Sequence, residues 1–244
     1  MTSSMTAPTT EPGKNVGSSS QLTPPPGTII IYSDLWCSFA HLAVHRLHTT
    51  RHKLGLDTTV SFDHRAFPLE LINGVSSPRP GTDSEVAAIG RLDPDAGWRL
   101  WQGPDWTYPS TSLPALEAVQ AAKEQGLAAS EALDLGLRRA FWVQSRNISL
   151  RPVILAVAAE TDIDAAALAA ALDDGRARRQ LMNQYLIAAS DTVTCSPHLF
   201  LPDATNHANP GVQVHYTGEY GVGYPIATGD DPTIYEALLT RSAA

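Results

Sequence analysis

The chain has 244 residues, a formal net charge of −8 and 43% hydrophobic residues, which suits one elaborated soluble domain, or a small domain with an insertion, around a sizeable core. With 17 lysines and arginines against 25 acidic residues, it gains little from counterion release or basic attraction, so nucleic acid and anionic membrane are excluded as main partners and small molecules or proteins remain. No stretch reaches the roughly 18 apolar residues of a membrane span.

Residues 1–26 are rich in Thr, Ser, Pro and Gly, carry Lys14 as their only basic residue and show no apolar run long enough for a leader. They read as a disordered tail. The expected compartment is therefore a reducing cytoplasm, where a pair of cysteines is more often catalytic or incidental than a structural bridge.

Thr28 to Tyr32 is a β-branched apolar run that predicts a buried strand. Phe39 to Leu56 has apolar residues at helical spacing with Gly55 as a stop, and Val60 to Arg65 alternates as a second strand. Strand, helix and strand at this length make a βαβ unit with parallel strands. Cys37 falls where the first strand has ended and the helix begins. A thiol there is expected to feel the positive end of the helix dipole and the unpaired amides of the first turn, both of which favour thiolate. Asp34, three residues earlier, is placed to cap the helix or shape the turn.

After Phe67-Pro68-Leu69-Glu70, a run of prolines and glycines from Pro78 to Pro109 predicts loop with short helices. Its aromatics, Trp98, Trp101, Trp106 and Tyr108, read equally as a pocket wall or as packing for an irregular loop. From Leu113 to Ala189 the chain is Ala- and Leu-rich, and its periodicity predicts helices over Leu113–Glu124, Ser130–Gln144, Leu150–Glu160 and Ala165–Ala188, the last split near Gly175. Ser149 and Asp164 are expected caps. Then follow expected strands over Val193–Leu201, interrupted by Pro197, over Val212–Tyr216 and over Gly223–Ile226, and a last helix over Asp231–Leu239. A proline opening a strand is tolerated where its missing donor is not needed, and a cis bond at a tight turn is one way to achieve that.

Asp34-x-x-Cys37, Phe67-Pro68-Leu69-Glu70, the helical block and Cys195-Ser196-Pro197-His198-Leu199-Phe200-Leu201 together resemble the thioredoxin-fold proteins of the DsbA type. The 2-hydroxychromene-2-carboxylate isomerases and kappa-class glutathione transferases are relatives of that family, and the resemblance runs from about Thr28 to Leu239. It implies an α/β thioredoxin-like fold with an all-helical insertion domain: residues 27–68 and 190–241 for the thioredoxin-like part and 69–189 for the insertion. It also implies an active thiol at Cys37 and a cis-proline at Pro197 facing it. The departures are informative. Oxidoreductases of the family carry C-P-x-C, whereas this chain reads Cys37-Ser38-Phe39-Ala40, so the proline and the resolving cysteine are both missing. The isomerase relatives carry serine at the position of Cys37 and use glutathione.

A lone thiolate can add reversibly to an electron-poor double bond, let it rotate as a single bond, and leave. That chemistry needs a water-poor pocket and a donor near the developing enolate, but no cofactor. Cys37, His41 and Ser38 are the expected catalytic residues, with Pro197, Ser196, His198, Cys195, Phe39, Trp101 and Trp106 expected around the substrate. His41 lies one helical turn from Cys37, as a base or an imidazolium. His41, His45, His48 and His52 recur at metal-ligand spacing, but a solvated stripe is the preferred reading and no metal is expected. A Cys37–Cys195 disulfide would restore dithiol chemistry if the Cα atoms came within about 7 Å, although a small buried hydrophobe is the preferred role for Cys195. The leading expectation is a cofactor-independent cis/trans isomerase acting on a conjugated small molecule or a carrier-protein-bound one. The alternatives are a thiol-disulfide oxidoreductase or low-molecular-weight-thiol transferase, and a noncatalytic apolar-ligand binding module. A low-molecular-weight thiol as co-substrate and a homodimer stay open.

Overall fold

The computed structural model describes residues 19–218 and 223–244, so most of the expected tail, residues 1–18, lies outside the described residues. The first described residues form a single 3-10 turn, Ser19–Leu22, and Leu22 packs against the sheet.

Strand β1 (Thr28–Ser33) is buried at every residue, as its β-branched run requires of a central strand. It pairs in parallel with β2 (Ser61–Ala66) and antiparallel with β3 (His198–Phe200), which pairs in turn with β4 (Asn206–Ala208). Among the described residues the order is β2-β1-β3-β4. The helix α1 (Ser38–Lys53) links β1 to β2, completing the expected βαβ unit.

The sheet has two apolar faces. On one, Ile29, Ile31 and Leu199 meet Leu47 of α1 and Leu238 and Leu239 of the last helix, α9 (Ile234–Ala243). On the other, Ile30, Tyr32 and Phe200 meet Phe67 and Val193. The insertion comprises α4 (Leu113–Ala122), α5 (Leu127–Trp142), α6 (Arg151–Glu160), α7 (Ala165–Asp173) and α8 (Arg176–Ala188), close to the bounds the periodicity predicts. The expected split at Gly175 is present, with Gly175 at a φ of 73° between α7 and α8. Asp164 caps α7 by accepting from the amides of Ala166 and Ala167. Ser149 does not cap α6; its amide and hydroxyl both turn back to Asn147 Oδ1. Leu35, Trp36 and Ala66 belong to the same core as Leu116, Leu137 and Phe141 of the insertion, so the turn after β1 is packed from the helical side.

Three elements differ from the sequence reading. The stretch after Pro68 holds two helices, α2 (Leu69–Asn73) and the three-turn α3 (Arg79–Ile89), which starts on Arg79-Pro80. The prolines are compatible because a missing amide is harmless in a first helical turn. The strand expected over Val193–Leu201 shrinks to β3, since Pro197 has no amide to donate to a ladder; the Ser196–Pro197 bond ahead of β3 is cis. Finally β5 (Val212–Thr217) and β6 (Tyr224–Asp230) pair with each other as a separate antiparallel sheet. Gly211, at a φ of 78°, turns the chain into β5, where a side chain would collide with the Asp231 carbonyl. Asp231 N also donates to Gly211 O at 2.8 Å, closing the end of the β5–β6 pair, and β6 lies beside α3.

Candidate active site

Asp34 organises the turn between β1 and α1. Its Oδ1 accepts from Trp36 N at 2.9 Å, and its Oδ2 accepts from Leu69 N at 2.7 Å and Ser112 Oγ at 3.1 Å. Its amide donates to Ser196 Oγ at 2.9 Å, and its carbonyl accepts from Arg138 Nη1 at 3.0 Å. One side chain and its peptide therefore join the first turn, α2, the start of α4, α5 and the proline loop. Of the two expected roles Asp34 shapes the turn; the residue at the head of α1 is Cys37, with no side-chain cap. Burial raises the Asp34 pKa to about 6, although its hydrogen bonds and Arg138 oppose the rise.

Cys37 is buried and free, and its Sγ donates to Ser196 O at 3.0 Å. The residue before the cis-proline therefore faces the thiol, while Pro197 itself is not among the described residues lining the cavity beside it. The expected acid thiol is corrected here. Burial, assisted by the negative charge of Glu85, pushes the Cys37 pKa up to about 12, against the help of Ser196 and the Ala40 amide. Desolvation of an anion outweighs the pull of one helix terminus.

The cavity beside Cys37 has a volume of about 350 Å³, within the size range of small-molecule sites. Its walls are chiefly apolar, including Trp36, Phe39, Phe67 and Leu69, with Cys195, Ser196, Thr194 and Asn209 on the proline-loop side. Of the expected site residues, Cys37, Phe39, Cys195 and Ser196 are thus brought together. Cys195 is also a free thiol, donating to Pro197 O at 3.2 Å.

The others are not. His41 turns away from the thiol into the insertion, stacked on Trp142 with ring centroids 5.7 Å apart and set edge-on to Trp98. Its Nε2 meets Ala96 O at 3.3 Å, and burial depresses its pKa to about 3, so it is a neutral packing residue. The histidine stripe is likewise not uniformly solvated, since His48 also faces inward and only His52 is fully exposed. His198 is buried in β3, accepting from Thr194 N at 3.1 Å and meeting Asn206 Oδ1 at 2.9 Å, and it does not line the cavity. Trp101 packs between Tyr108 and Phe141. Trp106 is 85% exposed, too far out of the core to serve as a wall. Ser38 is fully buried and lines no part of the cavity.

Several lining residues escape the sequence reading, Glu85 and Tyr216 among them. Glu85, from α3, receives the Tyr216 hydroxyl of β5 at 3.0 Å. Burial raises its pKa, opposed by Ser38 and Tyr216. The Ser38 approach is looser than a formed bond, because the Ser38 hydroxyl has no partner in hydrogen-bond geometry. Tyr216 also lies edge-on to Phe39, with ring centroids 6.4 Å apart. The signal for Glu85 was the helical spacing after Pro80, obscured by the surrounding breakers. Among the described residues no group of His, Cys, Asp and Glu is arranged to hold a metal, and no helix is long and apolar enough to cross a membrane.

A thiol at the head of α1, a cis-proline loop against it and an inserted helical bundle define a thioredoxin-type architecture. The sequence profile of the DSBA-like thioredoxin domain matches residues 28–214, and the chain belongs to that family. Comparison with curated proteins finds no match. Among solved structures, the chain is similar to a probable DsbA oxidoreductase from Streptomyces coelicolor, with 18% identity and a TM-score of 0.60 over 88% of this chain and 89% of that one. It is also similar to the cytosolic disulfide reductase DsbM from Pseudomonas aeruginosa with GSH, at 19% identity and a TM-score of 0.59 over 87% and 97% of the two chains. A 2-hydroxychromene-2-carboxylate isomerase matches at 17% identity and a TM-score of 0.54, over 72% of this chain and 86% of that one. Likeness at this level shows the shared fold.

Proposed function

We propose that the chain is an isomerase that interconverts the two geometries of a conjugated double bond in a small or carrier-bound carbonyl compound, with Cys37 as reversible nucleophile and Glu85 as acceptor of its proton. The observation that carries this reading is a thiol and a desolvated carboxyl on one apolar cavity, with Ala40 where a resolving cysteine would stand. Cys37 Sγ bonds to the β-carbon while its proton passes to Glu85, and the electron pair of the double bond moves onto the carbonyl oxygen as an enolate. The former double bond is now single and rotates. Collapse of the enolate expels the sulfur, which recovers its proton from Glu85, so nothing is oxidised or reduced.

The high thiol pKa does not prevent this. Ionising a group of pKa about 12 at neutral pH costs on the order of 7 kcal/mol. A turnover of about 10 s⁻¹ tolerates a barrier of about 16 kcal/mol, which leaves roughly 9 kcal/mol for bond formation. A reducing cytoplasm, the expected setting, keeps both cysteines as free thiols.

The test is Cys37→Ala against a panel of cis and trans enones followed by NMR. Loss of isomerisation is expected; activity that survives unchanged overturns the proposal and leaves the cavity as a ligand-binding site.

One observation favours a second reading: Cys37 and Cys195 line the same cavity as free thiols. In that reading Cys37 attacks a disulfide of a low-molecular-weight thiol, one half stays on Cys37 as a mixed disulfide, the other leaves as thiol, and an external thiol resolves the adduct. Mass spectrometry after exposure to oxidised small thiols decides it, since an adduct that forms on Cys37 and turns over supports thiol transfer and its absence rules it out.

A further inference from the structure

The proposed addition places negative charge on a carbonyl oxygen, and such a charge calls for a donor. Tyr216, on β5, lines the same cavity as Cys37 and Glu85 and is 47% exposed, so its phenol is not sealed in the core. Its hydroxyl donates to Glu85 Oε1 at 3.0 Å. Phe39, in the first turn of α1, meets the ring edge-on and holds it toward the head of that helix. Glu85 reaches the same place: it faces Ser38, the residue after Cys37, and after burial its charge is what raises the Cys37 pKa most. The thiol therefore feels the carboxyl, and the carboxyl holds the phenol.

A hydrogen bond to an ionised oxygen is roughly twice as strong as one to a neutral oxygen. Before addition the ionised oxygen belongs to Glu85. Once Glu85 has taken the thiol proton, the carboxyl is neutral and the negative charge sits on the substrate. A hydroxyl turns about its C–O bond without moving the ring, so its bond can follow the charge. Building on the isomerase reading, we infer that Tyr216 is a further catalytic residue: its hydroxyl leaves Glu85 Oε1 as that carboxyl is protonated and donates to the enolate oxygen formed when Cys37 adds. No proton leaves Tyr216. One hydrogen bond is exchanged for another, and the exchange reverses when the enolate collapses and the sulfur recovers its proton from Glu85. Thr82, which also lines the cavity, is bonded to the Arg79 carbonyl and the Tyr108 hydroxyl, and the proton transfer alters neither partner.

The direction of the kinetic effect tells a donor from a support. Against the burial that raises it, Tyr216 lowers the proton affinity of Glu85, so a phenol that only tuned Glu85 would, on removal, leave a stronger proton acceptor and isomerisation no slower. Tyr216→Phe is expected instead to slow isomerisation by about 10²–10³-fold, the cost of one oxyanion donor. Alkylation of Cys37 by iodoacetamide should stay within about twofold of the unmodified chain, since the ring keeps its packing on Phe39. A second measurement needs no turnover. In Glu85→Gln, which mimics the protonated carboxyl, 4-nitrophenolate stands in for the enolate, and its affinity by calorimetry is expected to fall at least about tenfold when Tyr216→Phe is added. The inference is overturned by isomerisation that is unchanged or faster in Tyr216→Phe, by alkylation slowed as much as isomerisation, or by 4-nitrophenolate that fails to bind Glu85→Gln or binds it equally without Tyr216. Tyr216-dependent binding of the phenolate in a chain that isomerises no enone would sustain Tyr216 as the oxyanion donor of this cavity and defeat the proposed reaction, so the two fail separately.

Discussion

A thiol and a carboxyl that share one cavity and are both short of water compete for one proton. Glu85 raises the Cys37 pKa through its charge, and burial does the same to both groups. Glu85→Gln therefore has two effects of opposite direction. Alkylation of Cys37 by iodoacetamide at about pH 9 is expected to quicken several-fold, each unit of pKa being tenfold in thiolate. Isomerisation is expected to slow by about 10²-fold through loss of the proton acceptor. A variant that becomes faster at both would show that Glu85 merely restrains the thiol. Asp34 offers a second titration. Its pKa is about 3.8 when unfolded and about 6 when folded, so the native state holds a proton that the unfolded state has lost between those values. Its contribution is fully present below pH 3.8 and falls as pH rises through 6. Across that window the stability of the unmodified chain relative to Asp34→Asn should drop by on the order of 3 kcal/mol, read by urea unfolding at successive pH values. Cys37 was legible from its place between a β-branched run and a helical period. The direction of its pKa was not, because it depends first on how deeply the fold buries the thiol and then on Glu85, which lies 48 positions away in sequence. His41 misled for a related reason: spacing of four places two residues on one side of a helix, but α1 has neighbours on several sides, and the insertion claims His41.

At the level of elements, α5 holds the turn that presents the thiol. Arg138 is fully buried, pairs with Asp134 Oδ1 at 2.6 Å, and reaches Ser33 Oγ at 2.7 Å as well as the Asp34 carbonyl. Burial would raise the Asp134 pKa, but Arg138 outweighs it and holds the carboxylate low. Removing one partner leaves the other charge buried, so Arg138→Met should cost about 3–5 kcal/mol in urea unfolding. Adding Asp134→Leu should recover much of that loss; no recovery would mean that the contacts to Ser33 and Asp34 carry the cost. The elements legible in the sequence were those whose own period settles them: β1, β2, α1 and the insertion helices. β4, three residues without apolar alternation, and α3, opened by a proline and a glycine, are defined by what they pack against. Val193 to Leu201 looked like a strand because of its apolar end, Leu199-Phe200-Leu201, yet only His198–Phe200 pairs with another strand.

For the whole molecule, sheet and insertion share the core around Leu35 and Trp36; His41 is buried against Trp142 of that core, and His48 packs on Phe62 beside the sheet. His41 and His48 each have a pKa lowered to about 3 from 6.5, chiefly by burial. The unfolded chain therefore takes up protons that the native chain refuses. The stability these two confer is fully present above pH 6.5 and is lost as pH falls toward 3. Each contributes a slope of about 1.4 kcal/mol per pH unit, or about 3 together. Between pH 6 and 4 the proton held by native Asp34 opposes them by about 1.4 kcal/mol per unit, so the loss from these three groups is about half as steep there as below pH 4. A domain holding about 5–15 kcal/mol cannot sustain the steeper slope for many units, and unfolding in acid should be cooperative rather than gradual. His41→Phe isolates one share of the slope. Whatever it costs in packing or in the bond to Ala96, the stability gap between it and the unmodified chain should change by about 1.4 kcal/mol per pH unit from 6.5 downward. A gap independent of pH would mean that His41 accepts a proton in the folded state, which would return it to the list of groups able to act on the cavity.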